Sequence, residues 1–86
     1  MKNIVFSKHA LDKIEILKKH KIIIEKKLIE ETIIKPDSID IGYKDRLVAQ
    51  KTLDETHVLR VVYEESGKNV TVITIYPGRR KRYEKD

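Results

Sequence analysis

Two hydrophobic periods divide the chain. From Ser7 the apolar positions Ala10, Leu11, Ile14 and Leu17 follow one helical face, while Lys8, Asp12, Lys13, Glu15 and Lys19 take the other. Ser7 is a good cap for the early backbone donors, and Lys18-Lys19-His20 bring cations to the negative end of the helix. A second helix is expected over 23–34, with Ile24, Leu28 and Ile33 inward and Glu25, Lys26, Lys27, Glu30 and Glu31 outward. Pro36 stops it, because a residue before proline disfavours helical geometry.

Elsewhere the period is two. A short apolar run, Ile4-Val5-Phe6, precedes the helices. After Pro36, Ile39, Ile41 and Tyr43 alternate with Ser38, Asp40 and Gly42, and three further strands are expected over 46–53, 57–64 and 69–76. Lys44-Asp45, Asp54-Glu55-Thr56 and Ser66-Gly67 fall where hairpin turns belong. The last two strands are apolar at both parities, the pattern of central strands covered on both faces. The expected fold is α+β: a short N-terminal strand, two helices, then a four-stranded antiparallel meander with the helices on one face. Residues 1–86 form a single domain, with 78–86 as a basic C-terminal tail.

Composition narrows the function classes. With 40% apolar and 38% charged residues, the chain reads as a soluble folded domain. It has no run long enough to cross a membrane and no signal-peptide pattern, so it reads as cytoplasmic with no membrane partner. The absence of cysteine excludes disulfides, thiolate metal sites and cysteine nucleophiles. Lysine, glutamate and isoleucine are abundant, which fits heat adaptation and an A·T-rich genome equally well. Arg79, Arg80, Lys81 and Arg82 supply four of the five net positive charges. A positive excess gathered in one place favours an anionic partner.

That cluster follows the last apolar strand through Pro77-Gly78 and is closed by Tyr83. Arginine presents a planar fork of donors that matches phosphate oxygens, and a tyrosine ring can stack on a base. The same run also reads as a solvated charged segment. Arg60, inside Val58-Leu59-Arg60-Val61-Val62, needs a carboxylate, solvent or a ligand phosphate; Glu64 is one available partner. Its face relative to Tyr76 depends on hairpin register. A three-residue loop sets it opposite Thr74, and a two-residue loop opposite Ile73. His9, in the first turn of the first helix, suits proton transfer at neutral pH or simple packing on the first strand. Neither the three histidines nor the carboxylates have the spacing of a zinc or two-metal motif, and there is no glycine-rich phosphate loop, so no metal or cofactor is expected.

Several segments together resemble BrnT-type and RelE/ParE-type toxins of bacterial and archaeal toxin–antitoxin systems. They are Ser7-Lys8-His9-Ala10, Ile33-Ile34-Lys35-Pro36-Asp37, Leu59-Arg60-Val61-Val62-Tyr63, Val72-Ile73-Thr74-Ile75-Tyr76-Pro77, and the ending Arg79-Arg80-Lys81-Arg82-Tyr83-Glu84. The resemblance implies a RelE-like fold and an RNA-cleaving toxin of the mRNA-interferase kind, neutralised by a small acidic antitoxin. It points to His9, Arg60, Tyr76 and Arg79 as catalytic. Lys13, Arg80, Lys81, Arg82 and Tyr83 would bind nucleic acid. Related domains commonly carry an arginine where this chain has Lys13, which keeps the charge without the two-pronged phosphate geometry.

Three functions stand side by side. In a metal-independent endoribonuclease, a base takes the 2′-hydroxyl proton, cations stabilise the phosphorane and an acid protonates the leaving oxygen. His9 would be the base or acid, Arg60 and Arg79 would hold phosphate, and Tyr76 or Tyr83 would stack or donate. The RNA would be met free or on the ribosome. The alternative is a non-catalytic module of the same fold that binds nucleic acid or an acidic protein. The third is an interaction protein whose sheet edge pairs with another chain, including a homodimer.

Overall fold

The computed structural model describes residues 2–83. Its element order is β1 (Asn3–Phe6), α1 (Lys8–Lys19), α2 (Lys26–Ile34), β2 (Ser38–Ile41), β3 (Leu47–Thr52), β4 (His57–Ser66), β5 (Asn69–Arg79) and α3 (Arg80–Tyr83). The α+β class stands. The sheet, however, is five-stranded and mixed, in the order β1-β5-β4-β3-β2, where four antiparallel strands were expected. The difference is β1, which pairs in parallel with β5 from Asn3↔Asn69 to Phe6↔Val72. A short strand with a three-residue apolar run carries no mark of the strand it will join, and this neighbour lies more than sixty residues away.

Both main helices lie on one face. Ala10 and Leu17 of α1, Ile24, and Ile29 and Ile33 of α2 pack with Ala49, Leu59, Val61, Tyr63, Val70, Val72 and Ile75 in one core. Each fully buried branched side chain contributes about 1.5–3 kcal/mol. Ser7 caps α1 as expected, accepting from the Ala10 amide at 3.1 Å. The other end closes through backbone bonds from Lys21 N–H to Lys18 O and from Ile22 N–H to Leu17 O, with Lys21 left-handed at φ 65°. This is the paired-bond helix stop that glycine usually fills. The second helix begins at Lys26 rather than at 23, because Ile24 reaches the core from extended backbone.

One extra residue re-aims β5. The ladder runs Tyr63↔Val72 and then Val62↔Thr74, so Ile73 is a bulge with no counterpart on β4. The hairpin loop is Gly67-Lys68, between Ser66 and Asn69, and with the bulge it sets Arg60 opposite Tyr76. Neither register expected from the sequence is the one adopted. Beyond the core, β2 forms the far edge, with Ile41 76% exposed, and Tyr43 in the short turn after it is 81% exposed.

The segment expected as a basic tail is ordered through Tyr83. Gly78 and Arg79 complete β5, Arg80–Tyr83 make one helical turn, and 84–86 lie outside the described residues. That turn packs on β4 and β5. A Cβ at Gly78 would stand 2.5 Å from Tyr83 Cε2, so the absence of a side chain at Gly78 lets the Tyr83 ring settle on the strand.

Candidate nucleic-acid interface

On the face away from α1 and α2, β4 and its neighbours carry a polar row. Arg60 lies between Tyr76 on β5 and Gln50 on β3. Its side chain is only 9% exposed, and every part of its fork is engaged. Nε donates to Tyr76 Oη at 3.0 Å, Nη1 to Gln50 Oε1 at 2.5 Å, and Nη2 to Asp40 Oδ2 at 3.4 Å. The Tyr83 ring covers the guanidinium, 4.2 Å from its centroid to Cζ. A buried guanidinium is tolerable here because its donors have partners and its flat face has a π-surface. Glu64, the carboxylate considered from the sequence, accepts from Arg46 Nε at 2.9 Å instead.

Arg60, Tyr76 and Tyr83 are thus brought together as one unit. His9 and Lys13 are not part of it. They lie on α1, whose inward side chains pack on the opposite face, so the sheet separates them from Arg60. His9 is exposed there.

The cations at the end of β5 make a second grouping around Arg79. One shallow groove of about 590 Å³ is lined by Pro77, Gly78, Arg79, Lys81 and Arg82. A second, about 440 Å³, runs between Glu55, Thr56, Arg79, Arg80 and Lys81. The third, about 470 Å³, has Lys21, Leu53, Asp54, His57 and Arg79 among its walls. Arg79 is common to all three. The Arg80 amide donates to Thr56 O at 2.8 Å, which ties the helical turn to the β3–β4 loop. Asp37 is held below its ordinary value first by the Thr52 amide, with further contributions from Lys51 and Arg80.

Sequence reasoning missed the β3–β4 loop. His57 opens β4 directly opposite Arg79. Its Nδ1 lies 3.1 Å from Asp54 Oδ1 and 2.8 Å from Thr56 Oγ1. Asp54 also accepts the Thr56 and His57 amides, both at 2.8 Å. Those bonds, the Thr56 amide foremost, lower its carboxyl to about 2. The Asp-x-x-His spacing across the expected Asp54-Glu55-Thr56 turn was the available signal; that the pair lines a groove with Lys21 and Arg79 depends on the fold.

Among the described residues, no helix is long and apolar enough to cross a membrane, and no three histidine, aspartate or glutamate side chains form a group that could hold a metal ion. The pattern of a family described as a domain of unknown function (DUF4258) matches residues 6–77. The chain belongs to that family. The DUF4258 span takes in Lys21, His57, Arg60 and Tyr76 and ends before Gly78, so the groove cations Arg79–Arg82 and the Tyr83 ring lie outside it. No curated protein and no solved structure matches the chain.

Proposed function

We propose that this DUF4258 domain acts on RNA as the toxin half of a type II toxin–antitoxin pair, with a RelE-like fold and metal-independent endoribonuclease chemistry. One observation carries the reading: Arg79 is the shared wall of three adjoining grooves that Lys21, His57, Arg80, Lys81 and Arg82 also line. Cations from the α1 stop and the end of β5 thereby face one region beside the β3–β4 loop, which brings His57, Asp54 and Glu55 to it; a run of cations is what a phosphate backbone needs. Tyr83 holds Arg60 in place beside it. A small acidic antitoxin laid over the same cations would neutralise them, and the cytoplasm is where such a pair would work.

The engagement of all three Arg60 nitrogens within the sheet favours a second reading, a non-catalytic module of the same fold. It keeps the RNA grip and loses the cleavage.

Fluorescence anisotropy on a single-stranded RNA oligonucleotide tests the grip. If about three cations displace counterions, affinity falls about twentyfold between 50 and 200 mM salt. Replacing Arg79, Lys81 and Arg82 together by alanine flattens that dependence. Salt-independent binding, or none, overturns both readings. Expression without an antitoxin, followed by RNA integrity on a gel, separates them: cut RNA supports the toxin and intact RNA the binding module.

A further inference from the structure

We infer that His57, oriented by Asp54, is the proton-accepting group for RNA cleavage, in a phosphate groove whose cationic walls are Lys21 and Arg79. The inference rests on the RNA-cleaving reading and assigns its chemistry to the groove at the α1 stop, which neither Arg60 nor His9 lines.

Three independent observations meet there. First, the groove of about 470 Å³ joins residues from the α1 stop, the β3–β4 loop and the end of β5. Lys21, His57 and Arg79 are far apart in sequence and come together only through the fold.

Second, the imidazole is held from one side. With a carboxylate at 3.1 Å from Nδ1, the proton is assigned to that nitrogen, leaving the Nε2 lone pair for a ligand. The side chain is 49% exposed, so a substrate can reach it. Asp54 is itself fixed by two backbone amides, so ring and carboxylate form a preset pair.

Third, Lys21 occupies a position where the backbone favours glycine. Its φ of 65° costs a non-glycine residue about 1 kcal/mol. Lys21 thus bears the backbone cost of a side chain at a glycine-type position, and the same residue lines the groove and brings a cation to it.

The step balances without a further reactant except water. The ribose 2′-hydroxyl gives its proton to His57 Nε2, and the O2′–P bond forms as the P–O5′ bond breaks. The departing 5′ oxygen takes a proton from water, and the imidazolium returns its proton to the hydroxide left behind. Lys21 and Arg79 stabilise the charge that builds on the phosphorane oxygens. The ends produced are a 2′,3′-cyclic phosphate and a 5′-hydroxyl.

The experiment uses the full chain and a single-stranded RNA oligonucleotide, with cleavage rate, RNA affinity and urea stability measured in parallel. His57→Ala lowers the cleavage rate by about 10²–10⁴-fold with RNA affinity nearly unchanged. In Asp54→Asn, where Asp54 acts only by positioning the ring, kcat falls by a smaller factor than in His57→Ala while KM and RNA affinity stay unchanged. Lys21→Gly raises stability while weakening RNA binding about five- to tenfold, a combination that loss of fold cannot produce. Wild-type protein that neither binds nor cuts RNA defeats the RNA reading itself. Wild-type protein that binds without cutting, or a His57→Ala variant that cuts as fast as wild type, overturns this inference while leaving the RNA grip intact. Unchanged RNA affinity in Lys21→Gly overturns the lysine's part.

Discussion

Arg60 and Tyr76 face each other across the β4–β5 ladder because Ile73 adds one residue to β5 between them and the hairpin loop. Without the bulge, Arg60 would meet Ile75, whose side chain belongs to the core face. The guanidinium would then have neither its phenol nor a matching neighbour. Ser7 secures the bulge from outside: its hydroxyl donates to Ile73 O at 3.0 Å, and its amide donates to Val72 O at 3.0 Å. A single residue therefore caps α1 and satisfies the carbonyls of the irregular turn of β5.

This double role separates two substitutions that helix capping alone would rank the other way. Ser7→Ala removes both side-chain bonds and is expected to cost about 1–2 kcal/mol. Aspartate caps helices as well as serine does, but an ionised carboxylate has no proton to give Ile73 O and sets its negative charge against that oxygen, offsetting the cap it keeps. Ser7→Asp is therefore expected to be no more stable than Ser7→Ala at neutral pH. Urea unfolding of the three proteins checks it; an aspartate variant as stable as wild type would show that the Ile73 bond contributes nothing.

Arg60→Ala is expected to lower stability by about 3 kcal/mol, because Tyr76, Gln50 and Asp40 lose a shared donor and Tyr83 loses the cation beneath its ring. Arg60→Met, which keeps most of the volume, is expected to cost less. Unfolding curves for both, with an RNA-affinity measurement for Arg60→Met, distinguish a structural arginine from one that grips phosphate. Wild-type affinity in a folded Arg60→Met protein assigns the residue to the sheet.

Asp54 gives the loop a pH signature. Its carboxyl is lowered from 3.8 to about 2, chiefly by the Thr56 amide. The ionised form is therefore favoured by folding: its contribution is complete above about pH 4 and is lost as pH falls towards 2. The stability gap between wild type and Asp54→Asn should shrink over that window. A gap that does not change below pH 4 would mean the carboxylate is not held by those bonds.

The helices were legible because their cues are local: Ser7 before an apolar face, lysines at its close, Pro36 after the second. The three long strands were legible from their β-branched and aromatic content between turn signals, and the cation cluster from its isolation. What escaped is non-local. A bulge is the insertion of a single residue, and Val72-Ile73-Thr74 looks like any other strand segment. The parallel place of β1 depends on an edge completed only by β5. Arg79–Arg82 read as a charged tail because docking of the turn depends on Gly78 admitting Tyr83, a contact five residues apart that charge patterning cannot reveal. The Lys21–His57–Arg79 groove draws on three segments, none of which carries a motif of its own. His9, the most conspicuous histidine in the sequence, lies in the helical layer, separated by the sheet from the arginine it was matched with.

The parallel seat of β1 also orders events during synthesis. β1 is synthesised with no edge to dock against, since its one neighbour among the described residues runs along 69–72. The hairpins of β2 to β4 can close as they emerge, but Asn3–Phe6 must wait for β5. A nascent chain halted before Val72 would thus leave Ile4, Val5 and Phe6 without their full ladder and Ser7 without the carbonyls that anchor it.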